Sequence, residues 1–228
     1  MAEIYYTNLE TCSASRGAVV VIDVLRAFTA ECFAFMAGAE RILLAGTVEE
    51  ALALKERFPG SLVMGEVDGL PVEGFDFSNS PSQVQAADLT GRTLVHRSSA
   101  GTQGVLRSPQ ADPLLVGSFV CASATARYLR GLGVGQVSFV ITGVLGPRDG
   151  DEDLACAEYM AALLHGEQPD PAPYLARVFH SYSGQLFADP AKPQFPRADL
   201  DLALQVDAFD FPLLVRREGD LLVVRPGA

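Results

Sequence analysis

The chain has 228 residues, enough for a sizeable core, and its hydrophobic (49%) and charged (20%) fractions are those of a globular rather than a disordered protein. A formal net charge of −11 argues against a general nucleic-acid binder, which needs a basic face to displace counterions. No apolar run reaches the ~20 residues of a membrane-spanning helix, and MAEIYYTNLE lacks the basic and apolar regions of a signal peptide, so a cytoplasmic protein with no membrane partner is expected.

The first clear element is AVVVID (18–23), a continuous apolar run of the kind found in strands covered on both faces. TAECFAFMAGA follows as a buried helix, and RILLA (41–45) as a second strand. TVEEALALKERF places Thr47 and Glu50 at capping-box spacing ahead of a helical apolar period. Further strands are predicted at 61–65, 92–97, 113–117 and 136–142, with a helix over CASATARYLRGLG between the last two. Helices are also predicted over Glu152–Leu164 and Pro173–Phe187, with HGEQPDPAP joining them, and the chain closes on two strand-like runs around Gly219-Asp220. This alternation predicts an α/β fold with three αβα layers and a largely parallel or mixed sheet. It is read as a single domain over 1–228, with room for two α/β lobes, ending in a C-terminal β-hairpin.

In such sheets ligands bind where strands run into loops, at their carboxyl ends. The first strand end supplies Asp23, Arg26 and Thr29; the long loop at 65–82 supplies Glu66, Asp68, Glu73 and Asp76. HRSSAGTQG (96–104) adds a small hydroxyl-rich turn, and GVLGPRDGDED (143–153) adds Arg148, Glu152 and Asp153. Carboxylates with arginines and free turn amides suit metal-assisted phosphate chemistry, since Mg²⁺ takes oxygen ligands and arginine grips phosphate oxygens. Each piece also has a plainer reading: Asp23 as a helix cap, the acidic run as a favourable helix start, SSAGTQG as a tight turn. Only Lys55 and Lys192 among 17 basic residues are lysines, which suits bidentate anion contacts or simply reflects a G+C-rich genome.

Several other patterns carry less. Cys12, Cys32, Cys121 and Cys156 form no CxxC pair and are expected as reduced thiols. Cys121 and Arg127 have the Cys-x5-Arg spacing of cysteine phosphatases, but Val120 precedes the cysteine and the interior suits a helix. DVLRAFT has the first Asp of an Asp-x-Asp phosphatase motif, with Leu25 where the second would stand. His96, His165 and His180 have no metal-ligand spacing and are expected to be structural.

Taken together, VVIDVLRAFT, GE, GFDFSNSPS, SSAGTQG, GSFVCASATARYL, EDLACAEYM and DAFDFPLLV run in order from about residue 19 to 215 and resemble the 2-phosphosulfolactate phosphatases of the ComB type. The resemblance implies a Mg²⁺-dependent hydrolase releasing phosphate from a sulfonated hydroxy acid on the route to coenzyme M. It carries Asp23, Arg26 and Thr29 onto the first motif, Glu66, Asp76 and Asn79 onto the second, Gly101 and Thr102 onto the third, Glu152 and Asp153 onto the fourth. On this reading Mg²⁺ is held by two or more of Glu66, Asp76, Glu152 and Asp153. Arg26 neutralises phosphoryl charge with help from amides near Ser99–Thr102, and Asp23 is metal ligand, base or nucleophile. Thr29, Asn79, Ser99, Gly101, Thr102 and Arg148 are the expected substrate contacts, Arg148 and Arg97 for a second acidic group. Phe28, Ala30, Ser99-Ala100 and Cys121 depart from the family pattern and leave substrate identity open. The alternatives are another phosphorylated hydroxy acid or sugar phosphate as substrate, or a non-catalytic anion-binding protein. The partner is a small phosphate ester, and the apolar content is compatible with a homo-oligomer.

Overall fold

The computed structural model describes residues 2–146 and 148–227. In chain order the elements are β1 (Glu3–Asn8), β2 (Gly17–Ile22), α1 (Ala27–Met36), β3 (Arg41–Leu44), α2 (Val48–Arg57), β4 (Leu62–Val67), β5 (Leu70–Pro71) and α3 (Pro81–Gln85). Then come β6 (Thr93–Arg97), α4 (Gly101–Leu106), β7 (Ala111–Gly117), α5 (Ala122–Leu132), β8 (Gln136–Ile141), and the small hairpin β9 (Val144–Leu145) and β10 (Arg148–Asp149). The chain finishes with α6 (Asp151–Leu164), α7 (Ala172–His180), α8 (Tyr182–Ala188), α9 (Arg197–Ala203), β11 (Leu213–Glu218) and β12 (Leu221–Pro226). No helix among the described residues is long and apolar enough to cross a membrane.

Ten strands form one mixed sheet in the order β1-β8-β2-β7-β11-β12-β3-β6-β4-β5, with helices on both faces. Its two wings, β1-β8-β2-β7 and β3-β6-β4, are each parallel, as the alternating sequence predicts. The predicted C-terminal hairpin β11–β12 lies between them, antiparallel to β7 on one side and to β3 on the other. The wings therefore run in opposite directions. In a flat sheet their carboxyl ends would lie at opposite edges.

They meet instead, because strands twist by about 20–25° at each step, so the five steps from β2 to β6 accumulate roughly a right angle or more. Helix α4 leaves the end of β6 yet packs on the end of β2. A Cβ on Gly104 would come within 2.6 Å of a Val21 methyl, so only glycine permits this approach. Around α1 the sheet closes: every residue from Ala27 to Phe35 is buried. A helix apolar on all sides requires such an enclosure. Val19 and Val21 of β2, Ile42 and Leu44 of β3, and Val224 of β12 all share its core. The outer face of the first wing is covered by α5, α6, α7, α8 and α9, and that of the second by α2.

The remaining local differences have simple causes. The helix predicted over Pro173–Phe187 breaks at Ser181, whose extended backbone (ψ 161°) ends α7 while its Oγ accepts the Gly184 N–H and starts α8. Thr47 caps α2 through the Glu50 N–H as predicted, but the Glu50 carboxylate reaches back to the Gly46 N–H. The edge strand β1 and the short helices α3, α4 and α9 have too few periodic residues to be read from sequence.

Because α1 is the enclosed element, Phe28→Ala should lower the unfolding free energy by about 3–5 kcal/mol, while Met36→Ala at the helix end should change it by no more than about 0.5 kcal/mol. Urea unfolding midpoints at unchanged m-value measure both, and equal effects would contradict the enclosure.

Candidate active site

Asp23 is the first residue beyond β2, and its Oδ1 accepts the Ala27 N–H at 3.1 Å, so one oxygen does cap α1. The other oxygen has no donor among the described residues and faces the first residue of α4. A Cβ on Gly101 would sit 2.8 Å from Asp23 Oδ2, so glycine lets the two wings come this close. Asp23 is buried beside a cleft that Arg26, Glu66, Asn79, Ala100 and Arg148 also line. Leu186, Phe187 and Phe195 form the apolar wall of this cleft.

Three further carboxylates are buried on the same rim. Glu66, near the end of β4, accepts the Ser99 N–H and Ser99 hydroxyl from the turn after β6, and the Gly69 N–H from its own hairpin. Asp153, in the first turn of α6, accepts the Val24 N–H at 2.8 Å, the Gly143 N–H at 2.7 Å and the Thr142 hydroxyl at 3.2 Å. It thereby ties the ends of β2 and β8 to α6. Glu152 has an Oε2 that is buried with no partner among the described residues. The Asn79 side-chain oxygen at the cleft is likewise unpartnered.

The electrostatics follow from this crowding. Burial pushes the Asp23 carboxyl up to about 6; the Ala27 N–H opposes the rise and the Glu66 and Glu152 charges add to it. Burial also raises Asp153 well above the usual carboxylate range, with the Glu152 and Asp23 charges reinforcing it. Among the described residues no three His, Cys, Asp or Glu side chains converge as a ready chelate. The donor chemistry nevertheless fits a hard divalent cation: all the groups are oxygens, and a buried carboxylate oxygen without a donor needs a counter-charge.

Several predicted site residues are placed elsewhere or otherwise engaged. Asp76 is not with the other carboxylates: its Oδ2 accepts the Val63 N–H (2.8 Å) and pairs with Lys55 (2.7 Å), which fixes the loop against β4 and α2. Thr29 is fully buried and its hydroxyl donates to the Val24 carbonyl. Thr102 is also fully buried, exchanging hydrogen bonds with Ser98, so neither threonine reaches the cleft. Of the turn amides, those of Ser99 and Thr102 are used internally.

Arg26 borders the cleft, but its guanidinium donates to Asp199 at 3.1 Å and to the Gly69 and Gln194 carbonyls, between the rings of Phe187 and Phe195. Its charge is therefore balanced by Asp199, a residue that sequence reasoning missed. Asp199 also accepts from the Ser80 and Ser82 hydroxyls and the Ser82 N–H, clamping α9 to the NSPS turn. Arg97 donates to the Glu66 carbonyl and to Ser99 Oγ beneath the cleft. Arg148, on β10, is the cleft arginine with no ion-pair partner among the described residues.

The Cys-x5-Arg spacing forms no loop: Cys121 is buried at the start of α5, while Arg127 pairs with Asp210 on the surface. Phe28, Ala30 and Cys121 lie in the apolar core around α1, so of the departures from the family pattern only Ser99-Ala100 touches the site.

Two stability predictions follow from these burials. A carboxyl raised from 3.8 to about 6 favours the folded state when protonated, and that contribution is lost as pH rises through about 6. In chelator-treated protein Asp23→Asn should therefore stabilise the fold by about 2–3 kcal/mol near pH ~7.5 and have little effect near pH ~4. Denaturant titrations at the two pH values measure this, and a pH-independent difference would contradict it. Asp199→Ala strands the buried Arg26 charge and should cost about 3–5 kcal/mol in the same assay.

A family model described as 2-phosphosulpholactate phosphatase matches residues 5–211. A Bacillus subtilis (strain 168) protein named "Probable 2-phosphosulfolactate phosphatase" is 33% identical over 203 residues, covering 89% of this chain and 88% of its own. Proteins of the same name from Carboxydothermus hydrogenoformans and Deinococcus radiodurans are 40% and 37% identical, over 64% and 63% of this chain and 60% and 62% of their own lengths. On a match that runs from β1 to the last residues before the C-terminal hairpin, the chain belongs to the 2-phosphosulpholactate phosphatase family.

Proposed function

We propose that the protein is a phosphoric monoester hydrolase that converts 2-phosphosulfolactate to sulfolactate and inorganic phosphate, with Mg²⁺ as cofactor. The observation that supports this most is the burial of Asp23, Glu66, Glu152 and Asp153 on one rim beside an arginine-bordered cleft. Relatives bearing the name of this activity supply the substrate.

Mg²⁺ would be held chiefly by Glu152, whose buried oxygen lacks a donor, with Asp23 and Asp153 adding negative charge. Bound there, it would offset phosphoryl charge and lower the pKa of a coordinated water. The protein's own groups have separate tasks. Asp23 is steered by the Ala27 N–H so that its free oxygen meets the cleft, where it accepts a proton from the attacking water. A carboxyl titrating near 6 is ionised at neutral pH yet still basic enough for that role. Arg148 takes a second acidic group of the substrate, and Asn79 hydrogen-bonds to it across the cleft. Arg26, braced by Asp199, holds the Gly69 turn and the phenylalanine wall in place, so that water is excluded from one side.

The test is release of inorganic phosphate from 2-phosphosulfolactate and from a panel of phosphorylated hydroxy acids and sugar phosphates, with and without Mg²⁺. Turnover is expected with Mg²⁺ and 2-phosphosulfolactate; Asp23→Asn should lower kcat by about 10²–10⁴-fold. Asp76→Asn should leave kcat near that of the unaltered protein, because Asp76 binds Lys55 and Val63 instead. Absence of turnover on every ester with metal present would overturn the enzyme reading. Preference for a different ester would overturn only the substrate.

A further inference from the structure

The opposite rim of the second wing carries a basic hollow that the proposed chemistry does not use. Arg41 opens β3, Thr93 opens β6, Ser61 immediately precedes β4, and Arg57 and Phe58 end α2. With Arg92 these residues border one pocket, and no carboxylate lines it. In a chain of net charge −11 with 17 basic residues, three arginines around one hollow is a local reversal of sign. The six residue steps from Thr93 to Ser99 place it about 20 Å from the catalytic rim along the chain direction of β6.

The guanidinium groups are oriented but not used up. Arg41 Nε donates to Thr93 Oγ1 at 3.1 Å while its plane lies over the Phe58 ring, which leaves its two terminal nitrogens without an acceptor among the described residues. Arg92 Nη1 donates to the Gly60 carbonyl at 3.1 Å, leaving Nε and Nη2. Arg57 also lies over Phe58, but both its terminal nitrogens are engaged by Asp220, so its charge is already balanced.

A second observation points independently to a ligand. Ser61, only 5% exposed, has a buried hydroxyl with no partner among the described residues. A buried O–H without an acceptor is costly, and Ser61 is one of the residues that line the hollow together with Arg41 and Arg92. The forked guanidinium donors of Arg41 and Arg92, neither of which is paired with a carboxylate among the described residues, match the oxygens of a tetrahedral anion.

We propose that this pocket is a second anion site that binds a small free tetrahedral oxyanion of the phosphate class through Arg41, Arg92 and Ser61. The site stands on its own residues and does not depend on the catalytic reading. Amide chemical-shift mapping of the full chain during titration with inorganic phosphate reads the two rims separately. Amides of Gly60, Ser61, Gly91 and Thr93 should shift along a saturable curve. In Arg41→Gln/Arg92→Gln that curve should weaken by about tenfold or more, while shifts at Gly69, Ser99 and Gly101 keep their midpoint. The unaltered remainder of the spectrum reports folding. Should the double variant not fold, Ser61→Ala provides the second arm, with weaker binding expected. Absent or non-saturating shifts at the first set of amides would overturn the proposal. Equal affinity in a folded Arg41→Gln/Arg92→Gln variant would also overturn it.

Discussion

Everything at the candidate catalytic rim depends on the sheet wrapping around α1. Two parallel wings that run in opposite directions can present their carboxyl ends to one point only if the sheet turns through a large angle between them. The hairpin β11–β12 makes this possible by joining the wings edge to edge, and α1 fills the interior with residues buried from Ala27 to Phe35. Asp23 belongs to one wing and Glu66 to the other, and the glycines of α4 let their strand ends touch. The site is thus a product of the whole sheet and not of any one βα unit.

Bringing four carboxylates together in a buried place carries an electrostatic cost that the surrounding backbone only partly offsets. Asp153 and Glu66 are held by N–H groups from neighbouring loops, which fix their positions as well as their charge. Asp23 and Glu152 keep oxygens without protein donors. The raised titration of Asp23 and Asp153 expresses the same imbalance. A divalent cation at this rim would relieve it, whereas the balanced Arg26–Asp199 pair does not, because its charges cancel each other.

Much of this was legible in the sequence. The abrupt end of AVVVI at Asp23 marks the strand end that borders the cleft, because a fully apolar strand announces where it stops. Glu152 and Asp153 were legible as the acidic start of a helix that follows a strand. What escaped was whatever depends on distant partners. Asp199 lies 173 residues from Arg26, and nothing in the local pattern of RADLD distinguishes it from a surface acid. Asp76 looked like the other loop carboxylates until Lys55 and the Val63 amide claimed it. Thr29 and Thr102 have the right residue type but turn inward to backbone and Ser98 partners. The terminal hairpin was readable as a hairpin, while its place between the wings follows from edge pairing, which local pattern does not encode.

If the rim around Asp23 and Glu152 receives a divalent cation, as we propose, metal binding itself is measurable. Calorimetric titration of the metal-free protein with Mg²⁺ tests it without reference to any substrate. The account predicts a saturable site that is lost in Glu152→Gln and retained in Asp76→Asn. Undiminished binding in Glu152→Gln, or no saturable binding to the unaltered protein, would contradict it.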